Sequence, residues 1–253
     1  MAEAKVIGVL GFPVNHSQSP EIFDGFFQNE GVIDWKYERF PFERLDDFIK
    51  YLNQRPEILG FNVTIPHKAA IIPYLDDIDE SASNIGAVNT VTVSRKTNNQ
   101  LFLKGYNTDY YGFMCSLDAL PFIPEYAIVL GTGGASKAVC AVLRDRNISF
   151  VTVSRTPQIG SQIAYEDVEL SRKKTRPLIV NTTPVGMLGF PQKHINISIE
   201  TFPNSAQIID LVYNPVQTPL LSDCKEKGLT CMNGSLMLQK QAERAWEIFK
   251  SNA

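Results

Sequence analysis

The sequence predicts an α/β protein with two α/β domains, and three observations support that fold class. Strand-like and helix-like segments alternate along most of the 253 residues, as they do when parallel strands are joined by helical crossovers. The alternation starts afresh after residue 108, which indicates a second domain. In that second half a glycine-rich turn, GTGGAS at residues 131–136, follows an apolar strand directly.

The elements of the first domain are predicted from the spacing of its apolar residues. Continuous or alternating apolar runs indicate strands, whereas apolar residues three and four positions apart indicate helices. Ser19-Pro20 predicts the start of the first helix, with the Ser19 hydroxyl as its cap. Two later strands form an antiparallel hairpin at the edge of the sheet, which makes the sheet mixed. The predicted strands are Lys5–Leu10, Trp35–Phe40, Ile58–Ile65, Val88–Val93 and Leu101–Lys104, the hairpin turn is Thr97-Asn98-Asn99, and the second helix spans Leu45–Leu52.

The second domain has the alternation typical of a Rossmann-like fold. A helix at Tyr110–Leu120 connects the two domains, and the last helix is predicted to return to the first. Residues 1–108 with 235–253 would then form one domain, and residues 109–234 the other. The predicted strands are Tyr126–Leu130, Phe150–Ser154, Leu178–Asn181 and Gln207–Leu211, and the helices are Lys137–Arg146, Val216–Gly228 and Ser235–Lys250.

Composition excludes several classes of function. A net charge of −3 and the absence of any Lys/Arg-rich run argue against nucleic-acid binding. No apolar run approaches the roughly 20 residues that cross a membrane, and no export signal is evident. The four cysteines have no C-x-x-C spacing, which favours reduced thiols in a cytoplasmic protein. The three histidines, His16, His67 and His194, are scattered and predict no metal site.

The turn at residues 131–136 predicts a dinucleotide site. A strand, a glycine turn and a helix, in that order, bring backbone N–H groups at a helix N-terminus to a pyrophosphate. Gly131 permits the tight turn and Gly133 the close approach of the phosphate, while Ala135 or Ser136 takes the third small position.

The end of the next strand predicts which dinucleotide binds. An acid there would bind the ribose diol of NAD, and an arginine would bind the 2′-phosphate of NADP. The strand ends Val151-Thr152-Val153-Ser154-Arg155-Thr156. Arg155 with hydroxyls on both sides suits a phosphate, so the sequence predicts NADP.

The stretch FNVTIPHK, residues 61–68, predicts a second functional region. Pro66 ends the strand because it has no N–H to donate. Asn62, Thr64 and Lys68 are therefore predicted to lie near the carboxyl end of this strand. Ligands of open α/β sheets bind at that end, so Lys68 is a candidate for chemistry and not only for solvation.

With these residues in place, the chain resembles the shikimate dehydrogenase family over essentially its whole length. Eight stretches carry the resemblance in the same order. They are GFPVNHSQSP (11–20), GFNVTIPHK (60–68), GAVNT (86–90), GYNTDYYG (105–112), GTGGAS (131–136), NTTPVGM (181–187), DLVYNPVQTPL (210–220) and GSLMLQKQA (234–242).

The resemblance implies roles for individual residues. Ser17 and Ser19 would bind the substrate carboxylate, and Lys68 with Asp109 would form the catalytic pair beside the reacting oxygen. Thr64, Asn89, Asp109 and Gln241 would surround the ring hydroxyls of the substrate. Tyr213 would also line the substrate site, and Asn62 would support the loop. The cofactor contacts would be Gly131, Thr132, Gly133, Gly134, Ala135, Ser154, Arg155, Thr156, Asn181, Thr182, Leu211 and Gly234, with Glu80 a further candidate.

The residue types suit this chemistry independently of the family. A polyhydroxylated carboxylate needs hydroxyl and amide partners, which Ser, Thr, Asn and Gln supply. Reduction of a ketone by hydride needs a proton donor at the developing alkoxide, and the Lys68 ammonium also stabilises that charge. Asp109 keeps the lysine oriented and charged, or shares the proton.

Three departures from the family pattern concern mainly the cofactor side. Phe23-Asp24 stands where His-Asn is common, Ser154 where Asn is common, and Leu211 where Met is frequent. They leave the predicted substrate residues intact.

The resemblance therefore implies an NADP-dependent enzyme that interconverts 3-dehydroshikimate and shikimate, as a monomer or homodimer. Two alternatives stay open: a dehydrogenase that also accepts quinate, and a non-catalytic NADP-binding regulator on the same fold. Lys68 and Asp109 together argue against the regulator, because a sensor has no need of a proton-transfer pair.

Overall fold

The computed structural model describes residues 4–97, 99–159, 162–171 and 176–253. The chain divides into two compact units. Unit 1 comprises Met1–Thr108 with Gln239–Ala253, and unit 2 comprises Asp109–Leu238. The sequence places the return of the chain at residue 235, four residues earlier, because it marks the start of a helix and not the point where that helix changes its packing partners. Met237 on the first turn of this helix still packs into a core of unit 2.

Unit 1 contains a six-stranded mixed sheet in the order β2-β1-β3-β5-β6-β4. The first three strands are parallel, and the hairpin of β5 and β6 is antiparallel. This confirms the predicted mixed sheet. The strands are β1 Lys5–Leu10, β2 Trp35–Phe40, β3 Ile58–Val63, β4 Asp77–Ile78, β5 Thr90–Arg95 and β6 Leu101–Tyr106.

Helices cover both faces of this sheet with apolar side chains. On one face Phe48 of the second helix packs edge-on against Phe61 of β3, and neither side chain is exposed. On the other, Phe23 and Phe27 of the first helix join Trp246 and Phe249 of the last helix in an aromatic cluster. The helices are α1 Ser19–Glu30, α2 Leu45–Asn53, α3 His67–Ala70 and α4 Glu80–Ile85.

Unit 2 contains a six-stranded parallel sheet in the order β12-β11-β10-β7-β8-β9. The strands β7, β10 and β11 are almost wholly buried, as expected for parallel strands covered on two faces. The strands are β7 Tyr126–Leu130, β8 Ser149–Val153, β9 Gln162–Ile163, β10 Pro177–Asn181, β11 Gln207–Asp210 and β12 Thr230–Asn233, and the helices are α5 Asp109–Asp118, α6 Gly134–Asp145, α7 Pro219–Glu226 and α8 Ser235–Asn252.

The structure corrects several predicted boundaries. Ser19 is not the cap of α1: Gln18 holds that position without a side-chain hydrogen bond, and Ser19 is the first helical residue. The third strand ends at Val63 and not at Ile65, since the chain already turns at Thr64. The short strands β4, β9 and β12 were not predicted because two to four residues carry too little periodicity. Strand β4, and not the hairpin, forms the edge of the first sheet.

Smaller shifts affect the other elements. Strand β5 begins two residues later than predicted, α6 begins three residues earlier at Gly134, and α7 begins at Pro219 instead of Val216. The predicted hairpin turn includes Asn98, which lies outside the described residues. Among the residues that the structure describes, we find no helix with the length and apolar character needed to cross a membrane.

Candidate active site

In unit 1 the strand register brings polar residues to one edge of the sheet. Asn62 of β3 lies opposite Thr90 of β5, and Thr90 lies opposite Tyr106 of β6. Thr64 follows β3, Asn89 precedes β5, and residues 107 and 108 follow β6. Because neighbouring antiparallel strands exchange their ends, all of these positions lie at the carboxyl end of β3.

A buried amide–hydroxyl network occupies this edge. The Asn89 side chain, only 2% exposed, donates to Thr108 Oγ1 at 3.0 Å and to Gln241 Oε1 at 3.3 Å. Its oxygen accepts the Thr108 backbone N–H at 2.7 Å. The Asn62 amide donates to the Asn89 carbonyl oxygen and to Thr90 Oγ1, at 3.3 and 3.1 Å. The network brings together Asn89 and Gln241, which are 152 positions apart and were both predicted to contact the ring hydroxyls.

The two predicted carboxylate-binding serines lie at the entrance to α1. Ser17 Oγ donates to Ser19 Oγ at 3.1 Å, and the Ser19 backbone N–H donates to Ser17 Oγ at 3.3 Å. Arg39 of β2 donates to the Ser17 carbonyl oxygen at 2.9 Å and pairs with Glu21 at 3.1 Å. The serines therefore form one hydroxyl pair on a loop that a neighbouring strand holds.

Lys68 lies on the short helix α3, which begins three residues after Thr64. The Lys68 carbonyl oxygen accepts the Val88 backbone N–H at 2.8 Å. Because Val88 precedes Asn89 in the chain, this bond holds the Lys68 backbone beside the start of the amide network. His67, 3% exposed, anchors the helix by donating from Nε2 to the Phe42 carbonyl oxygen at 2.7 Å. The histidine thus has a structural role here.

In unit 2 the parallel register aligns most of the predicted cofactor residues at one edge. Leu130 of β7 pairs with Val153 of β8 and with Asn181 of β10, and the pairing continues through Asp210 of β11 to Asn233 of β12. The residue that follows each of these lies at the carboxyl edge of the sheet, where ligands of doubly wound folds bind. Those residues are Gly131, Ser154, Thr182, Leu211 and Gly234.

Two glycines on this edge have no room for a side chain. Gly131 has a φ of +105°, and a Cβ on it would lie 2.8 Å from Thr182 Oγ1. A Cβ on Gly234 would overlap the Leu211 carbonyl oxygen. Position 131 therefore requires glycine both for its backbone conformation and for lack of space, and position 234 requires glycine for lack of space.

The first turn of α6 offers backbone donors to an anion. Its cap residue, Gly133, provides no side-chain hydrogen bond, and Thr132 and Gly133 are exposed. Gly134 and Ala135 open the helix, where N–H groups lack intrahelical acceptors. Ser136 instead points back and donates to the Gly131 carbonyl oxygen at 2.7 Å. The turn fits a pyrophosphate, with Ser136 holding its shape.

The segment after β8 offers a base and hydroxyls. The Ser154 backbone N–H donates to the Ile163 carbonyl oxygen at 3.0 Å, which fixes the start of the segment. Ser154 Oγ accepts the Thr156 backbone N–H at 3.2 Å, and this short turn leaves Arg155 exposed between them. An exposed guanidinium flanked by two hydroxyl residues fits a 2′-phosphate.

Asn181, at the end of β10, lies inside a hydrogen-bonded cluster. It is fully buried, donates to Asp210 Oδ1 at 2.8 Å and accepts from Thr183 Oγ1 at 2.7 Å. Asp210 also accepts from Thr218 Oγ1 at 2.6 Å and from the Val212 N–H at 3.1 Å. Burial raises the pKa of Asp210, and these donors offset part of the effect. Asn181 thus shapes the edge at which Thr182 and Leu211 lie, and its own side chain presents no surface.

Two predicted substrate residues belong to unit 2. Asp109 is the first residue of α5 and is 5% exposed, and Tyr213 lies half-buried between β11 and α7. The roles predicted for them toward the substrate stay predictions. Glu80, the further cofactor candidate, is an exposed residue of α4 in unit 1.

Sequence reasoning missed four residues that organise these groups. Thr108 lies inside the quoted stretch GYNTDYYG, and Thr90 lies inside GAVNT, so the motifs could have identified both. Asp210 opens DLVYNPVQTPL but was not singled out. Tyr37 lies on an ordinary alternating strand, and nothing in the sequence marks it. Across the described residues, no group of three or more His, Cys, Asp or Glu is arranged to hold a metal ion.

Comparison with known proteins identifies relatives along the whole chain. Residues 9–91 match the family model for the shikimate dehydrogenase substrate binding domain. The shikimate dehydrogenase (NADP(+)) of Methanosphaera stadtmanae is 34% identical over 266 residues, covering 96% of this chain and 90% of that protein.

Solved structures give the same result. The shikimate dehydrogenase of Aquifex aeolicus matches with a TM-score of 0.85 at 32% identity, covering 99% of this chain and 94% of that one. That of Thermus thermophilus, solved with NADP(H) and shikimate, matches with a TM-score of 0.78 at 32% identity, covering 98% and 94%.

Proposed function

The chain belongs to the shikimate dehydrogenase family, and we propose that it catalyses the reversible, NADP-dependent interconversion of shikimate and 3-dehydroshikimate. One observation carries the proposal: unit 1 combines a buried amide–hydroxyl network at the carboxyl end of β3, a lysine on the helix that follows that strand, and a serine pair at the entrance to α1. These groups match the hydroxyls, the carboxylate and the reacting oxygen of such a substrate. A regulator has no need of Lys68 at that place.

In unit 1, two groups of residues bind two different parts of the substrate. Ser17 and Ser19 donate to the carboxylate, and these charge-assisted bonds are stronger than neutral ones. Thr64, Asn89 and Gln241 take the ring hydroxyls, with Asn89 oriented by Thr108. The hydrogen bonds within the network orient the Asn89 side chain before the substrate binds.

Lys68 acts on the proton of the reacting hydroxyl. The bound cofactor would accept a hydride as NADP+ when the alcohol is oxidised and would donate one as NADPH when the ketone is reduced. In the direction of oxidation Lys68 accepts the hydroxyl proton. In the direction of reduction it donates a proton to the developing alkoxide and stabilises that charge. Following the resemblance, Asp109 is proposed as the second member of the catalytic pair.

The cofactor residues lie in unit 2. The N–H groups at the start of α6, with Gly131 to Ala135, receive the pyrophosphate. Ser154, Arg155 and Thr156 receive the 2′-phosphate. Thr182, Leu211 and Gly234 form the edge that faces the nicotinamide, and Asn181 supports it from within.

We also propose a cytoplasmic enzyme that is a monomer or a homodimer. All four cysteines are unpaired, as in proteins of a reducing compartment. Light scattering with size-exclusion chromatography would determine the number of subunits.

Steady-state kinetics with shikimate and quinate, each with NADP and with NAD, tests the proposed function. Shikimate with NADP should give the highest kcat/KM of the four pairs. Comparable turnover of quinate would show the broader specificity instead. Absence of turnover for all four, with NADP still bound, would show the non-catalytic regulator.

A further inference from the structure

We propose that Tyr37 is a positioning residue of the substrate site, which ties the serine pair to the amide network and thereby determines how tightly the carboxylate is held. The inference rests on the proposed function and adds a residue to it. Tyr37 lies on β2, where it pairs in register with Ile7 of β1.

One side of Tyr37 is fixed to the amide network. Its hydroxyl donates to Asn62 Oδ1 at 2.8 Å. The Asn62 amide in turn donates to the Asn89 carbonyl oxygen and to Thr90 Oγ1. The phenol therefore supplies the hydrogen bond that fixes which way the Asn62 amide faces.

The other side of Tyr37 lies against α1. Its ring stacks on Phe23, with 4.3 Å between centroids and 24° between planes. Phe23 is 1% exposed and lies one turn along the helix from Ser19. Burial raises the pKa of the Tyr37 hydroxyl, and a hydrogen bond with the Ser19 side chain and the charge of Arg39 offset part of that effect. The phenol thus keeps its single proton, which it donates to Asn62.

Arg39 extends the same arrangement to Ser17. Residues 37 and 39 of a strand point to the same face. Arg39 donates to the Ser17 carbonyl oxygen, and Ser17 Oγ donates to Ser19 Oγ. Two side chains of β2 therefore hold the serine pair, one through the backbone and one through the helix that Ser19 begins.

The competing explanation is that Tyr37 only fills space in the aromatic cluster of unit 1. Tyr37→Phe separates the two, because it keeps the ring and removes the hydroxyl. Tyr74→Phe is a matched control: Tyr74 belongs to unit 1, and its hydroxyl donates to Asp46 at 2.8 Å on the exposed surface.

We expect Tyr37→Phe to raise the KM for shikimate about tenfold. Asn62 loses its hydrogen-bond donor, and the phenol no longer links the helix that Ser19 begins to the amide network. The kcat and the KM for NADP should stay within about threefold of the wild-type values. Tyr74→Phe should leave every constant unchanged.

A comparison of shikimate with its methyl ester locates the effect. If Tyr37 acts through the serines, the variant loses preference for the carboxylate over the ester, and Tyr37→Phe adds little to the defect of Ser19→Ala. Calorimetric titration of shikimate and thermal unfolding, on all variants, separate binding from stability.

Three results would contradict the inference alone: an unchanged KM for shikimate, an equal loss of affinity for the acid and the ester, or a loss explained by unfolding. A wild-type protein that does not turn over shikimate would overturn the proposed function and this inference with it.

Discussion

The two units present polar groups at the carboxyl edge of a sheet by different means. In unit 1 the edge consists of side chains that hydrogen-bond one another, such as Asn62, Asn89 and Gln241. In unit 2 much of the edge is backbone, and its key positions are residues that have no room for a Cβ, such as Gly131 and Gly234.

The difference follows from what each edge is proposed to bind. A small polyol with a carboxylate has several distinct polar groups, which side chains distinguish individually. A pyrophosphate consists of two linked phosphate groups, and backbone N–H groups at the start of a helix bind such an anion well. Changes of side-chain chemistry should therefore damage unit 1, and added bulk should damage unit 2.

The largest effect should come from the one residue of unit 1 that acts on a proton. Lys68→Met should lower kcat roughly 10²-fold or more, because the variant has no group to accept or donate the proton. Titration calorimetry should still detect shikimate binding. Combining it with Asp109→Asn should cost less than the product of the single effects, since the pair acts as a unit.

Lys50→Met is the control for Lys68, since Lys50 is exposed on α2 of the same unit. It should have wild-type kinetics. A Lys68→Met protein with near-normal kcat would remove the lysine from the mechanism.

Arg155 is the exception in unit 2, since it acts through its side chain. Arg155→Ala should lower kcat/KM for NADP about 30- to 1,000-fold by loss of charge-assisted bonds to the 2′-phosphate. The value for NAD should barely change. Arg144→Ala, at the exposed end of α6 in the same unit, should alter neither cofactor. Equal use of NADP and NAD by the wild-type protein would show that Arg155 does not read the phosphate.

Substitutions at two glycines of the same turn distinguish the effect of backbone conformation from the effect of ligand contact. Gly131→Ala should reduce the free energy of unfolding by about 1–3 kcal/mol, because φ is positive and Thr182 leaves no space. Gly133→Ala should change it by less than about 0.5 kcal/mol, because open space surrounds that position. Both should raise the KM for NADP. Equal stability losses in urea denaturation would mean that the turn is less constrained than its geometry indicates.

The smallest effect should be a change in the pH dependence of stability at Asp210. Burial raises its pKa above the unfolded value of 3.8. The native state therefore binds the proton more tightly, and this stabilisation is lost as pH rises through the raised pKa. In Asp210→Asn the stability relative to wild type should increase with pH from about pH 4 upward and then level off. A difference between the two proteins that is flat from pH 4 to 8 would show that burial does not penalise this carboxylate.

The sequence predicts most strands of both sheets because their apolar runs are long, and it misses β4, β9 and β12. Strands β1, β2 and β7 have the predicted bounds. Helix starts were less predictable: Ser19 has the residue type of a cap, yet the chain reaches helical geometry one residue earlier, so Gln18 is the cap. Such an offset depends on how the preceding loop packs, which no local pattern records.

The candidate site was predictable where chemistry depends on residue type. Lys68, Ser17 and the glycine turn are such cases. Tyr37 and Thr108 were not found, because their importance arises from partners that are distant in sequence. The hydroxyl of Tyr37 meets Asn62, 25 positions away. Only the pairing of β2, β1 and β3 brings them together.

Transfer of a labelled hydride tests whether the two edges serve one reaction. Shikimate that carries deuterium on the carbon bearing its 3-hydroxyl would be incubated with NADP and the wild-type protein, and both products analysed by mass spectrometry. We expect the deuterium in the reduced nicotinamide, together with an equal amount of 3-dehydroshikimate, and far less of either product with Lys68→Met over the same time. Binding of both compounds by the wild-type protein without any transfer of deuterium would contradict the proposed dehydrogenase.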